Sequence, residues 1–202
     1  MNASTKIVVL GESGVGKSTL VAALSKSFGD NIESTVGAAV SMTWHDYRAG
    51  SAEQRTELIE LWDIGGTTAH RPASTVFLDG AAGVILVHDL ANSKSEANLG
   101  QWLALLNGDR RMTSTHTLRT LVADIESTQI PIVIVGTRLD LAPHRNNSQT
   151  SLISPAPRVS LDCRKEILPG TTHAMTLSRF FDAAIDRSRG PSDPRRRRLI
   201  VS

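Results

Sequence analysis

Residues 11–18 read GESGVGKS, with the apolar run KIVVL before them and TLVAALSKSF after. This is the phosphate-binding pattern G-x-x-x-x-G-K-[ST] in its required setting, a strand before and a helix after. Gly11, Gly14 and Gly16 let the backbone bend where a Cβ would clash, so that consecutive N–H groups point at one phosphate. The start of the following helix adds partial positive charge at the same point. Ser13, Gly14, Val15, Gly16 and Thr19 are therefore expected to line the phosphates. Lys17 is expected to reach the β- and γ-phosphates, and the Ser18 hydroxyl to complete the shell of a Mg2+ ion.

Three further stretches extend this chemistry. WDIGG, residues 62–66, places an acid and two glycines at the end of an apolar alternating run. Asp63 suits water-mediated contact with Mg2+, and the Gly66 N–H suits the γ-phosphate. Thr35 carries a hydroxyl able to meet the metal when that phosphate is present. In TRLD, residues 137–140, the Asp140 carboxylate can accept from both N–H groups on the guanine edge, whereas adenine offers no matching donors. Arg138 can stack its stem and guanidinium on the base. The expected ligand is a guanine nucleotide, GTP or GDP, with Mg2+.

These residues need a scaffold that brings them to one edge. Residues 5–10 read as a buried parallel strand, Thr19 to Phe28 as a helix, and 40–47 and 56–63 as an antiparallel hairpin. GVILVHDL (83–90), IPIVIVGTRLD (130–140) and RVSLDC (158–163) supply three more strands. Leu99, Trp102, Leu103, Leu105 and Leu106 mark an amphipathic helix. A last helix over 173–188 turns Met175, Leu177, Phe180, Phe181, Ala184 and Ile185 to the sheet. The expected fold class is α/β, a three-layer domain over 1–188 with a six-stranded, mostly parallel sheet and helices on both faces. In such sheets ligands bind beyond the carboxyl ends of the strands, where every motif here falls.

Composition narrows the setting. The 202 residues suffice for one such domain, and the single cysteine, Cys163, excludes an internal disulfide or a cysteine-built metal site. No transmembrane stretch or apolar signal core stands out, so a cytoplasmic protein is expected. From Arg187 onward six arginines and one aspartate give a local charge of +5; the preceding residues hold 16 basic and 19 acidic side chains, or −3. The tail, 189–202, is read as basic and solvated, with at most weak membrane contact through Arg195–Arg198 and no prenyl anchor. No nucleic-acid partner is expected.

In the order and spacing of these motifs, residues 5–188 resemble the small GTPases of the Ras superfamily. STVG and WDIGG point to the Rab side, and HDY, VHDL, NSKSEANLGQW, GTRLD, SLDC and LSRFFD to an atypical Rab-like group without prenylated C-terminal cysteines. The resemblance implies the P-loop GTPase fold, a switch in which the loops around Thr35 and after Asp63 change order with the nucleotide, and homodimers. It adds Phe28 as a packing surface for the base. It sets Lys17, Thr35, Gly66 and Thr67 at the positions concerned with hydrolysis, and Asp162 and Cys163 near the last base contact.

The departures from that pattern carry as much information. Thr67 stands where the family has the glutamine that orients water, which implies slow intrinsic hydrolysis. Rap GTPases also have threonine there and hydrolyse GTP with a partner's help. His70 is read as a loop residue without catalytic duty. Thr137 replaces the asparagine that opens the base motif, as in Rho proteins, and Arg138 replaces lysine. Asp162 would be unwelcome beside the guanine oxygen unless it points away. Cys163 is read as a buried small residue before a redox sensor. The stretch 107–129 is longer than a Rab needs, and the helix usual between the last two strands is expected to be stunted. Two functions fit: a nucleotide switch acting on effector and regulatory proteins, or a scaffold that keeps GTP as a structural ligand. An ATP-using P-loop kinase fits poorly, since TRLD would have no role.

Overall fold

In the computed structural model, described for residues 4–27, 34–67, 71, 73–108, 125, 128–144 and 156–190, six strands form one sheet in the order β2-β3-β1-β4-β5-β6. These are β1 (Thr5–Leu10), β2 (Ala38–Tyr47), β3 (Arg55–Ile64), β4 (Gly83–Asp89), β5 (Ile132–Thr137) and β6 (Arg158–Ser160). Only the β2–β3 pair is antiparallel; β1 lies parallel between β3 and β4, and β5 and β6 follow in parallel. The expected mostly parallel α/β sheet is thus present.

Alternation along β1 divides the core. Ile7 and Val9 face a layer built with α1 (Lys17–Leu24) and the C-terminal α4 (Thr172–Arg189). Val8 and Leu10 face α3 (Leu99–Leu106), which the short α2 (Ser93–Ala97) precedes. Every residue of β1, β4 and β5 is buried, as strands covered on both faces must be. α4 buries Leu177, Phe180, Phe181, Ala184 and Ile185, and truncating a ring such as Phe180 to alanine would cost about 3–5 kcal/mol. Tyr47 and His45, at the end of β2, reach across to Asp186 and Asp182 of the same helix.

Several boundaries differ from those read in the sequence. The first helix runs from Lys17 to Leu24 and stops short of Phe28. The Ser25 hydroxyl donates back to the Val21 carbonyl at 2.8 Å, and Lys26 turns to φ 54°, which ends the helix. Met175 does not face the sheet. It is 49% exposed, because it lies two residues from Leu177 and so about 200° around the helix from the buried stripe. β5 and β6 are also shorter than expected, since the polar segments after Thr137 and Ser160 leave the ladder for the site.

On the outer strand β2, Val40, Met42 and Trp44 are exposed on one face. Phe28, His70, the helix expected between the last two strands (apart from its flanks), most of the stretch 107–129 and Arg195–Arg198 lie outside the described residues. Among the described residues no helix is long and apolar enough to cross a membrane.

Candidate nucleotide site

The carboxyl ends of β1, β3, β4, β5 and β6 open toward one edge, and those predicted site residues that are among the described ones gather there. Gly16 begins α1 at φ 91°, a left-handed conformation that a side chain would resist. The helix has no side-chain N-cap and no acidic residue in its first turn. Its first amide donors are therefore left for an anion. Lys17 is buried, its Nζ donating to the Glu12 carbonyl at 2.8 Å. Burial lowers the Lys17 ammonium below its ordinary value, against the opposing pull of Asp63 and Glu12. A desolvated cation of this kind gains most when an anion arrives.

Ser18, Thr35 and Asp63 come from α1, the loop before β2 and the end of β3, yet their oxygens meet. Ser18 Oγ donates to Asp63 Oδ2 at 2.5 Å, Thr35 Oγ1 donates to the same oxygen at 2.8 Å, and the two hydroxyls are 3.1 Å apart. The second carboxylate oxygen, Asp63 Oδ1, is buried without a hydrogen-bond partner. Among the described residues no group of three or more His, Cys, Asp or Glu side chains converges, so a cation here draws on hydroxyls as well as Asp63. An all-oxygen set with one orphaned carboxylate oxygen fits a small hard divalent cation such as Mg2+.

Gly66 lies directly on the phosphate loop. Its carbonyl accepts the Ser13 N–H at 3.1 Å, and a Cβ on it would sit 2.3 Å from the Glu12 carbonyl carbon. One residue earlier, the Gly65 N–H donates to the Gly37 carbonyl at 2.8 Å. The loops bearing Thr35 and Gly66 thus touch each other and the phosphate loop. Thr67 follows, exposed.

Beside this lies a cavity of about 180 Å3 lined by Gly16, Thr19, Thr137, Arg138, Asp140, Leu141, Asp162, Cys163 and Arg164. Below the roughly 300 Å3 of an ordinary small-molecule pocket, it suits a base rather than a whole nucleotide. Thr137 braces it: its buried hydroxyl donates to the Val15 carbonyl at 2.6 Å, tying the base motif to the phosphate loop. The Arg138 guanidinium is engaged elsewhere than on a base. It donates to Asp89 Oδ2 and to the Gly14 carbonyl, both at 2.7 Å, so only its stem is left for stacking.

Asp162, one of the lining residues, is held by its own loop, where its carboxylate accepts the Arg164 N–H at 3.2 Å and pairs with Lys165 at 3.4 Å. Burial works to raise its pKa, but the Arg164 amide and the Lys165 and Arg164 side chains outweigh it and hold the carboxyl below its usual range. Cys163 is buried, and burial, with Asp162 and Asp140 nearby, pushes its thiol up to about 12. It is a neutral wall, as read from the sequence.

Sequence reasoning missed Arg164, Leu141 and Asp89. Arg164 binds Asp140 Oδ2, the oxygen system expected to read guanine. The cue was the RK pair following Cys163, which lay close in sequence to the last base contact.

A domain family described as Ras of Complex, Roc, domain of DAPkinase matches residues 6–140. Rab-like protein 3 of Xenopus tropicalis is 38% identical over 202 residues, covering 90% of this chain and 85% of its own. The human Rab-like protein 3 is 36% identical over 90% of this chain and 84% of its own, and Ras-related protein rab-11.1 of Caenorhabditis elegans is 29% identical over 67% and 55%. Fold, site and relatives define a Ras-superfamily small GTPase domain. Within that class the chain belongs to the family of Rab-like protein 3.

Proposed function

We propose that the chain binds GTP and GDP with Mg2+ and works as a nucleotide-dependent switch with slow intrinsic hydrolysis. The observation that carries this is the meeting of two loops at the phosphate loop: Thr35 on Ser18 and Asp63, and Gly66 on Ser13. Lys17 and the phosphate-loop amides hold the phosphates, Ser18, Thr35 and Asp63 hold the metal, and Asp140 reads the base in a pocket braced by Thr137. Mg2+, when bound, neutralises charge building on the phosphates. This chain's residues place the ligand and close over it; Thr67 offers a short hydroxyl where a glutamine would orient water, so turnover is slow.

A second reading is favoured by Thr67 alone: a scaffold that retains GTP as a structural ligand. One experiment separates the two. The purified protein is denatured, the released nucleotide is identified by chromatography, and loop protection is compared between GDP and a GTP analogue. Mostly GDP with a nucleotide-dependent change in protection supports the switch; persistent GTP with identical protection supports the scaffold; ATP or an empty site rejects both. The exposed Val40, Met42 and Trp44 of β2 are where we place contact with effector proteins or a second copy, and sedimentation tests the homodimer. We place its action in the cytoplasm, which cell fractionation tests.

A further inference from the structure

Arg71, five residues beyond Gly66, is 1% exposed. Its guanidinium lies 4.4 Å from the Trp102 ring centroid, and its Nη1 donates to Gln101 Oε1. Its Nε and Nη2 are buried without hydrogen-bond partners. On the same stretch, Asn98 Nδ2 donates to Glu12 Oε1 at 2.6 Å. Residues 98, 101 and 102 are spaced i, i+3 and i+4, so a single face at the start of α3 holds one residue from the phosphate loop and one from the loop after Gly66.

The buried guanidinium is a poor device for stability. N–H groups taken from water without acceptors cost free energy, and a leucine or methionine would cover Trp102 without that cost. What an arginine adds is a fixed, directional attachment. Arg71 is five chain steps from Gly66, so this attachment confines Gly66 to within about 17 Å of Arg71, and Gly66 is found on Ser13.

We propose that Arg71 is a positioning residue for the third phosphate: docked on Trp102 and Gln101, it holds the Gly66 loop at the phosphate loop, while Asn98 sets Glu12 at the matching spacing. This rests on the guanine-nucleotide reading above. Burial pulls the Arg71 guanidinium below its ordinary value while Glu12 draws it back, which agrees with a cation kept beside the phosphate loop. The docked arginine favours the arrangement that senses a triphosphate and contributes little to binding a diphosphate.

The test measures affinities for a fluorescent GTP analogue and for GDP, with Mg2+, alongside thermal midpoints. Arg71→Leu is expected to lower the analogue-to-GDP affinity ratio about five- to tenfold, the lower range of measured couplings between sites. GDP affinity stays within about twofold and the midpoint does not fall. Gln101→Glu, which gives the guanidinium a charged acceptor, raises the ratio, and only while Arg71 is present. An unchanged ratio in both variants, with GDP binding intact, overturns the role of Arg71 and leaves the nucleotide reading standing. So does a loss of GDP and analogue affinity in equal measure with a lowered midpoint. A wild-type protein that binds neither nucleotide removes both.

Discussion

The Ser13 amide donates to the Gly66 carbonyl at 3.1 Å, and nothing larger than hydrogen fits on the Gly66 α-carbon, since a Cβ would lie 2.3 Å from backbone carbon of Glu12. Real side chains do not approach backbone so closely, and neither partner is a flexible side-chain end. Gly66→Ala is therefore expected to retain GDP but to be unable to seat this loop. Hydrogen exchange at residues 34–37 and 64–67 should then be the same with GDP and with a GTP analogue. Analogue-dependent protection surviving in the variant would show that closure takes another form.

Thr67 sits beside this contact and is exposed, so replacing it should disturb no packing. Thr67→Gln restores an amide able to hold the attacking water, and single-turnover GTP hydrolysis is expected to rise, by about 10²-fold at most, the scale set by water placement. The thermal midpoint should stay unchanged. A rate that does not move would locate the hydrolytic defect elsewhere in the site.

Asp140 faces competition between a base and Arg164. The arginine side chain is 70% exposed, so water already screens the pair and its net contribution is small. Arg164→Ala is expected to strengthen GDP binding by no more than about fivefold, the range of exposed ion pairs. Asp140→Asn should act far more strongly. The amide presents one donor and one acceptor where guanine needs two acceptors, and preference should move to xanthine, whose second edge group is a carbonyl. Competition between GDP and xanthosine diphosphate measures this directly.

The Cys163 thiol, raised to about 12 by burial and the nearby carboxylates, stays protonated and inert at neutral pH. Iodoacetamide at pH 8 should label the native protein far more slowly than the denatured one. Because the folded value lies above the unfolded one of about 8.5, the fold favours the protonated thiol. That stabilisation is complete below about pH 8.5 and is lost as pH climbs toward 12. Cys163→Ser should flatten this alkaline loss in pH-dependent unfolding.

The parts of the site legible in the sequence are those whose chemistry is local. The phosphate loop is one contiguous stretch because its contacts are successive backbone amides, and TRLD keeps its brace and its base reader within four residues. The sheet was legible because strands buried on both faces must be apolar throughout. Arg138 was misjudged for a different reason. Whether a guanidinium stacks or pairs depends on Asp89, which is 49 residues away and carries no local mark. Arg71 and Arg164 escaped notice because arginine in a polar loop looks solvated until tertiary contacts are known. The end of α1 turned on a single hydroxyl, Ser25, competing with the helix for a carbonyl, and Met175 on helical phase at a terminus where the apolar stripe has barely begun.

The three tryptophans occupy three environments: Trp102 fully buried against Arg71, Trp62 half-buried beneath the Lys6 ammonium, and Trp44 68% exposed on β2. The chain thus carries its own optical reporters. Trp44 should emit at long wavelength and be stripped away first by a dissolved quencher, leaving a blue-shifted remainder dominated by Trp102. What covers β2 will extinguish the red component, and what moves the loop after Gly66 will alter the blue one, so the two events can be followed separately in one unlabelled sample.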